Sequence, residues 1–263
     1  MNDNEQMEFF YKLFDASLPR LGPGDDLSTI KALDILLSVK PKLTDEPGKA
    51  RLRILDIGCG NGAQTVQLAK HIDGTILAVD NHQPYLDELQ RRAEAEGVSE
   101  KIQPYPRDMC DLGLAAGSFD LIWSEAALYS MGFREGLAAC HRLLAPEGLL
   151  AASELCWLPA DPPAECRQFF ASEYPAMVDI DTNLAIIKSC GYEVIGHFAL
   201  PESAWWESYY RPLQDRLQLF QQRYGADPER IEMIESVQME IEIFRKYSSY
   251  YGYEFFLMQH SQP

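Results

Sequence analysis

The 263-residue chain carries 23 Lys and Arg against 40 Asp and Glu, a formal net charge of −17. A field of that sign repels polyanions and anionic membranes, so binding that rests on phosphate neutralisation is set aside and no nucleic-acid or membrane partner is expected. Its apolar runs fall short of the ~20 residues a membrane helix needs, and the start MNDNEQMEFFYKLF reads as no signal peptide.

In chain order, residues 1–47 read as a helical cap. MEFFYKLFDASL sets Phe9, Phe10, Leu13 and Phe14 on one helix face. After the Gly22-Pro23-Gly24 turn, Ser28 opens a second helix with Ile30, Leu33 and Leu37 in one stripe. PKLTDEPGK is a polar linker with two prolines.

Residues 51–157 change rhythm. RLRILDIG, GTILAVD, KIQPYPRD, FDLIWSEA and LLAASEL read as strands. GAQTVQLAKHI, QPYLDELQRRAEAEG and REGLAACHRLLAPEG read as the helices between them, the last stopping at Pro146–Gly148. Such alternation means right-handed crossovers and a doubly wound α/β fold with a mostly parallel sheet covered on both faces. Residues 158–263 supply the remaining strands with helical insertions: a helix around CRQFF, the helix TNLAIIKSCG, the strand YEVIGHFAL, about two long helices over 202–248, and the last strand YYGYEFFLMQH. The whole of 1–263 is read as one domain, and a helical insert before the last strand is a natural place for a substrate lid.

Six cysteines (Cys59, Cys110, Cys140, Cys156, Cys166 and Cys190) form no CxxC pair and no metal-ligand spacing. Reduced thiols, a cytoplasmic location and no metal site are expected.

The sharpest signal is LDIGCGNGAQT at 55–65, a glycine turn between a buried strand and a helix. Gly58, Gly60 and Gly62 let the backbone turn tightly and approach a ligand. Asp80 ends the next strand, where a carboxylate can take both hydroxyls of a ribose. Gly58-x-Gly60-x-x-Ala63 also satisfies a dinucleotide pattern, so spacing alone leaves NAD and S-adenosylmethionine open. Asp56 favours the second, because a carboxylate there repels a pyrophosphate and attracts an ammonium group. Asp108, after the third strand, can accept from an adenine amino group.

The stretch from Arg51 to Trp157 resembles the class I S-adenosylmethionine-dependent methyltransferases: LDIGCGNG their first motif, VDN the acidic end of their second strand, RDM their adenine contact and LLAPEG the turn before their fifth strand. The resemblance implies a seven-stranded sheet whose last strand is antiparallel, with a helical cap. It implies that Asp56, Gly58, Gly60 and Gly62 meet the amino-acid end of the cofactor, Asp80 with Asn81 the ribose, and Asp108 with Met109 the adenine. LGPGDDLSTIKAL, IWSEAALYSMGF, LPESAWWESYY and YYGYEF together resemble a bacterial small-molecule methyltransferase group of unknown substrate, which groups these segments around one pocket.

Methyl transfer needs a nucleophile held close and in line with the methyl–sulfur bond. The fourth strand ends at WSEAALYS, placing Ser124, Glu125 and Tyr129 near the cofactor. Glu125 is the first candidate base or substrate ligand and Glu154, at the end of the fifth strand, the second. Trp157 and Trp205 are the candidate aromatic pocket residues, while His197, alone in a strand, reads as structural. The expected reaction is methyl transfer to a small molecule. The rival readings are a non-catalytic S-adenosylmethionine-binding or regulatory protein and an NAD-dependent oxidoreductase.

Overall fold

The computed structural model describes residues 1–39 and 51–261; the linker PKLTDEPGK lies outside the described residues. Its strands are β1 (Leu52–Ile57), β2 (Gly74–Asp80), β3 (Ile102–Pro106), β4 (Phe119–Ser124), β5 (Leu144–Trp157), β6 (Val178–Asp179), β7 (Tyr192–Ala199) and β8 (Tyr251–His260). They form one sheet in the order β3-β2-β1-β4-β5-β8-β7, with β6 paired to the end of β5. β1 to β5 run parallel, and β8 lies antiparallel between β5 and β7. The seven expected strands are present, joined by the two-residue β6, which is too short to leave a pattern in the sequence.

The helices are α1 (Asp3–Leu13), α2 (Asp26–Val39), α3 (Ala63–His71), α4 (Gln83–Ala95), α5 (Phe133–Leu143), α6 (Ala164–Glu173), α7 (Ile180–Ser189), α8 (Glu202–Trp205), α9 (Arg211–Tyr224) and α10 (Pro228–Tyr247). Both sheet faces are buried, which is why the consecutive Ile54 and Leu55 of β1 are both apolar. Ile54, Leu121, Trp123 and Phe255 pack towards α1 to α4 and the late helices. Leu55, Ile122, Leu150 and Phe256 pack towards α5 and α7.

Two expectations shift. α5 ends at Leu143, not at the Pro146–Gly148 turn, and β5 starts at Leu144 with a register jump against β4 and Glu147 at φ 60°. Pro146 lacks the N–H that a longer helix would use. α2 buries Thr29, Ala32, Leu33 and Leu36, a step round from the expected stripe.

The cap is tied to the core by polar straps. Asn61 Nδ2 donates to the Ala16 and Leu18 carbonyls, Tyr85 Oη to Phe14 O and Arg92 to Leu18 O and Pro19 O. These bonds satisfy the irregular chain between α1 and α2, which has no ladder of its own. Between α8 and α9 the chain makes one π turn, Trp206–Tyr210. Its extra residue per turn brings both Trp205 and the pair Tyr209–Tyr210 to the buried side, as π turns at functional sites often do.

Candidate active site

Strand order reverses between β1 and β4, so the chain leaves their carboxyl ends in opposite directions and a crevice opens. The turn at its base holds Gly58, Gly60 and Gly62 at φ of 69°, 52° and 81°, a region other residues rarely adopt. Close approach adds a second demand: a Cβ at Gly58 would stand 2.4 Å from that of Ala127, and one at Gly62 2.2 Å from Leu89 Cδ1.

A cavity of about 360 Å³ lies over this loop, lined among others by Gly58, Gly60, Asp80, Met109, Tyr129 and Glu240. Asp80 Oδ2 accepts from Gly60 N at 3.0 Å and Oδ1 from His82 N at 2.9 Å. Burial holds its carboxyl above the usual range, against the pull of those amides. At the rim the Tyr11 ring lies flat on His82, centroids 3.5 Å apart.

Asp56 is fully buried behind the loop. One oxygen takes the Thr65 hydroxyl at 2.6 Å and the other has no partner. Burial, with the Glu125 and Asp80 charges adding, pushes it up to about 7. A cationic ligand at the loop offsets that accumulated negative charge. A diphosphate has the opposite need, and among the described lining residues Arg20 is the one Lys or Arg side chain. Its guanidinium is already spent on Glu125 and Asp26, each at 2.9 Å. The residues present therefore fit S-adenosylmethionine.

Other expected contacts lie elsewhere. Gly62 opens α3 and Asn81 and Asp108 are exposed; none of the three lines the cavity. Asp108 Oδ1 instead accepts from Cys110 N at 2.8 Å. Ser124 is corrected: it is fully buried, and its hydroxyl donates to Ile57 O at 2.9 Å between β4 and β1. Glu125 borders the cavity, but its carboxylate is engaged three times. Oε1 accepts from Thr29 Oγ1 at 2.7 Å and Trp123 Nε1 at 2.9 Å, and Oε2 from Arg20 Nη1 at 2.9 Å. Bound so, it holds the cap to the loop after β4.

A second cavity, about 310 Å³, adjoins the first under α8 to α10. Leu21, Gly22, Pro23, Ala126, Tyr129, Tyr209 and Glu240 line both and so form the neck between them. Ala126 takes the left-handed φ of 49°, its N–H donating to Ser153 Oγ at 2.9 Å. Strain of this kind persists where surroundings over-determine it. Tyr129 and Trp205 line this chamber. Trp157 lines neither cavity. Its ring meets Phe170 edge-on at 5.5 Å, and Phe170 is the residue that lines the chamber.

Glu154 also lines neither cavity. Alternation along β5 sets it with Ala152 and Cys156, away from Leu155, which does line the chamber. One oxygen takes the Tyr174 hydroxyl at 2.5 Å, the other is unpartnered, and burial pushes the carboxyl up to about 7. It faces Glu254, whose carboxylate meets His197 Nδ1 at 2.5 Å.

Sequence reading missed Glu240, and it placed the segment YYGYEF at the pocket without singling out Tyr251 and Tyr253. The two tyrosines were discoverable, since inward alternation in YYGYEF places both on one face. Glu240 was not, because α10 carries many acids and nothing local marks the one that turns inward.

Comparison with known proteins fits this architecture. Residues 54–148 match the family model of a methyltransferase domain. The chain thus carries a methyltransferase domain over these residues and is similar to the class I S-adenosylmethionine-dependent methyltransferases. It is 27% identical over 221 residues to a 27-O-demethylrifamycin SV methyltransferase of Amycolatopsis mediterranei, covering 79% of this chain and 78% of that one. It is 25% identical over 175 residues to the sterol 24-C-methyltransferase erg6 of Aspergillus fumigatus, 63% of this chain but only 46% of that protein. In fold it is similar to a methyltransferase of Thiobacillus denitrificans solved with S-adenosyl-L-homocysteine, with a TM-score of 0.77 at 17% identity over 95% of this chain and 97% of that one. Among the described residues no helix is long and apolar enough to cross a membrane.

Proposed function

We propose that the chain transfers the methyl group of S-adenosylmethionine to a small molecule held in the chamber under α8 to α10. The observation that carries this is the shared neck: a glycine-floored cofactor cavity and an aromatic chamber meet at Ala126, Tyr129, Tyr209 and Glu240.

The cofactor supplies an activated methyl group on a sulfonium centre. Gly58 and Gly60 accommodate its amino-acid end, Asp80 takes the ribose hydroxyls, and Met109 packs on the adenine side. Asp56 contributes negative charge from behind the loop. Phe10 and Phe14 of the cap line the cavity and give it an apolar wall. Tyr129 and Tyr209 orient the acceptor at the neck, where positioning supplies most of the acceleration. Residues 1–47 and 158–263 then act with the 51–157 core as one unit. The six free cysteines support a reducing, cytoplasmic setting.

Calorimetric titration with S-adenosylhomocysteine and with NADH tests the reading. Micromolar-range heat from the first and none from the second is expected, as is a methyl-sized mass gain on an acceptor from a metabolite panel. The reverse preference would sink it.

A further inference from the structure

The chamber's lining narrows the acceptor further than its volume does. Glu173 and Glu240 line it, and no Lys, Arg or His does among the described residues. Its walls are rings, with Tyr129, Tyr174, Trp205, Tyr209, Tyr251 and Tyr253 foremost. Tyr251 is 1% exposed and its hydroxyl has no partner. Glu240, half-buried on α10, takes the Tyr210 hydroxyl on one oxygen at 2.9 Å. Its other oxygen has no hydrogen-bond partner among the described residues.

An anionic acceptor would face two carboxylates with no counter-charge. A purely apolar one would leave Glu240 and the Tyr251 hydroxyl desolvated and unpaired, which is costly. A cation meets both needs, pairing with the carboxylate while ring faces surround it. Glu240 also lines the cofactor cavity, so the charge it holds sits at the neck.

Building on the methyl-transfer reading, we propose that the acceptor is a basic amine and that Glu240 binds and deprotonates it. The amine enters as an ammonium ion and gives one proton to the Glu240 carboxylate. The freed nitrogen lone pair then forms the C–N bond as the C–S bond breaks, its electron pair staying on sulfur. Burial pushes the Glu240 carboxyl up to about 7, which suits it to take up that proton near neutrality.

The test titrates benzyltrimethylammonium, N-methylbenzylamine, benzyl alcohol and benzoate into the protein, with and without saturating S-adenosylhomocysteine. Both cationic probes should bind at least ~10-fold more tightly than the alcohol, and benzoate should not bind. Glu240→Gln should weaken the quaternary cation ~10-fold or more while S-adenosylhomocysteine affinity stays within ~3-fold. Equal or better binding of alcohol or benzoate, no binding of either cation, or an unaffected Glu240→Gln variant each overturns the proposal. Wild-type selectivity is read without any variant, so a Glu240→Gln chain that fails to fold leaves the test standing. Loss of selectivity with intact S-adenosylhomocysteine binding removes only the amine; absent S-adenosylhomocysteine binding removes the methyl-transfer reading itself.

Discussion

Arg20 Nη1 stands 2.9 Å from Glu125 Oε2, with both side chains buried. The pair joins the segment between α1 and α2 to the loop after β4, and so fixes the cap over the cofactor cavity. Removing Glu125 leaves Arg20 only the exposed Asp26 and strips the Thr29 hydroxyl and the buried Trp123 Nε1 of their acceptor, at ~1–3 kcal/mol for each buried group left unsatisfied. Glu125→Ala should therefore lower the unfolding free energy by ~3 kcal/mol or more, read by urea denaturation. Unchanged stability with lost turnover would instead mark Glu125 as a base.

Asp80 bonds the Gly60 and His82 amides on one side and lines the cavity on the other. Asp80→Ala should keep the fold, since the carboxylate supports no core packing. S-adenosylhomocysteine affinity should fall ~10- to 100-fold, the scale of a charged hydrogen bond. Circular dichroism checks the fold and calorimetry the affinity.

Gly58 combines a φ of 69° with a 2.4 Å approach between its added Cβ and that of Ala127. Neither can be relieved without moving the loop after β4. Gly58→Ala should cost ~2–3 kcal/mol and abolish measurable S-adenosylhomocysteine binding, whereas Gly113→Ala, with open space around it, should leave binding intact.

Asp56, Glu154 and Glu240 have carboxyls that burial pushes up to about 7. Their unfolded values lie near ~4, so between ~4 and 7 the native chain holds protons the unfolded chain has released. The stability they contribute is full below that window and is lost as pH rises through it. The ligand-free protein should show a lower urea midpoint at pH 8 than at pH 5.5, and Glu240→Gln should flatten the slope.

Legibility tracked how local each feature is. The glycine loop and its flanking strand and helix are contiguous, so LDIGCGNGAQT specified the turn and its backbone freedom, and the end of the next strand, GTILAVD, gave Asp80. The Arg20 partner of Glu125 was not legible, because a strand-end carboxylate looks alike whether it faces substrate or a guanidinium, and Arg20 lies far off in the chain. Trp205 reached the chamber and Trp157 did not, since a π turn and an edge-on Phe170 decided their directions.

Short-range order thus told the sheet, the crossovers and the donor's cradle, because strand and helix periods and glycine backbone freedom act over a few neighbouring residues. The acceptor chamber emerged only on folding. Leu21, Ala126, Trp205, Glu240 and Tyr253 come from five separated segments, and which carboxylate ends up among rings rather than in water depends on how distant helices pack.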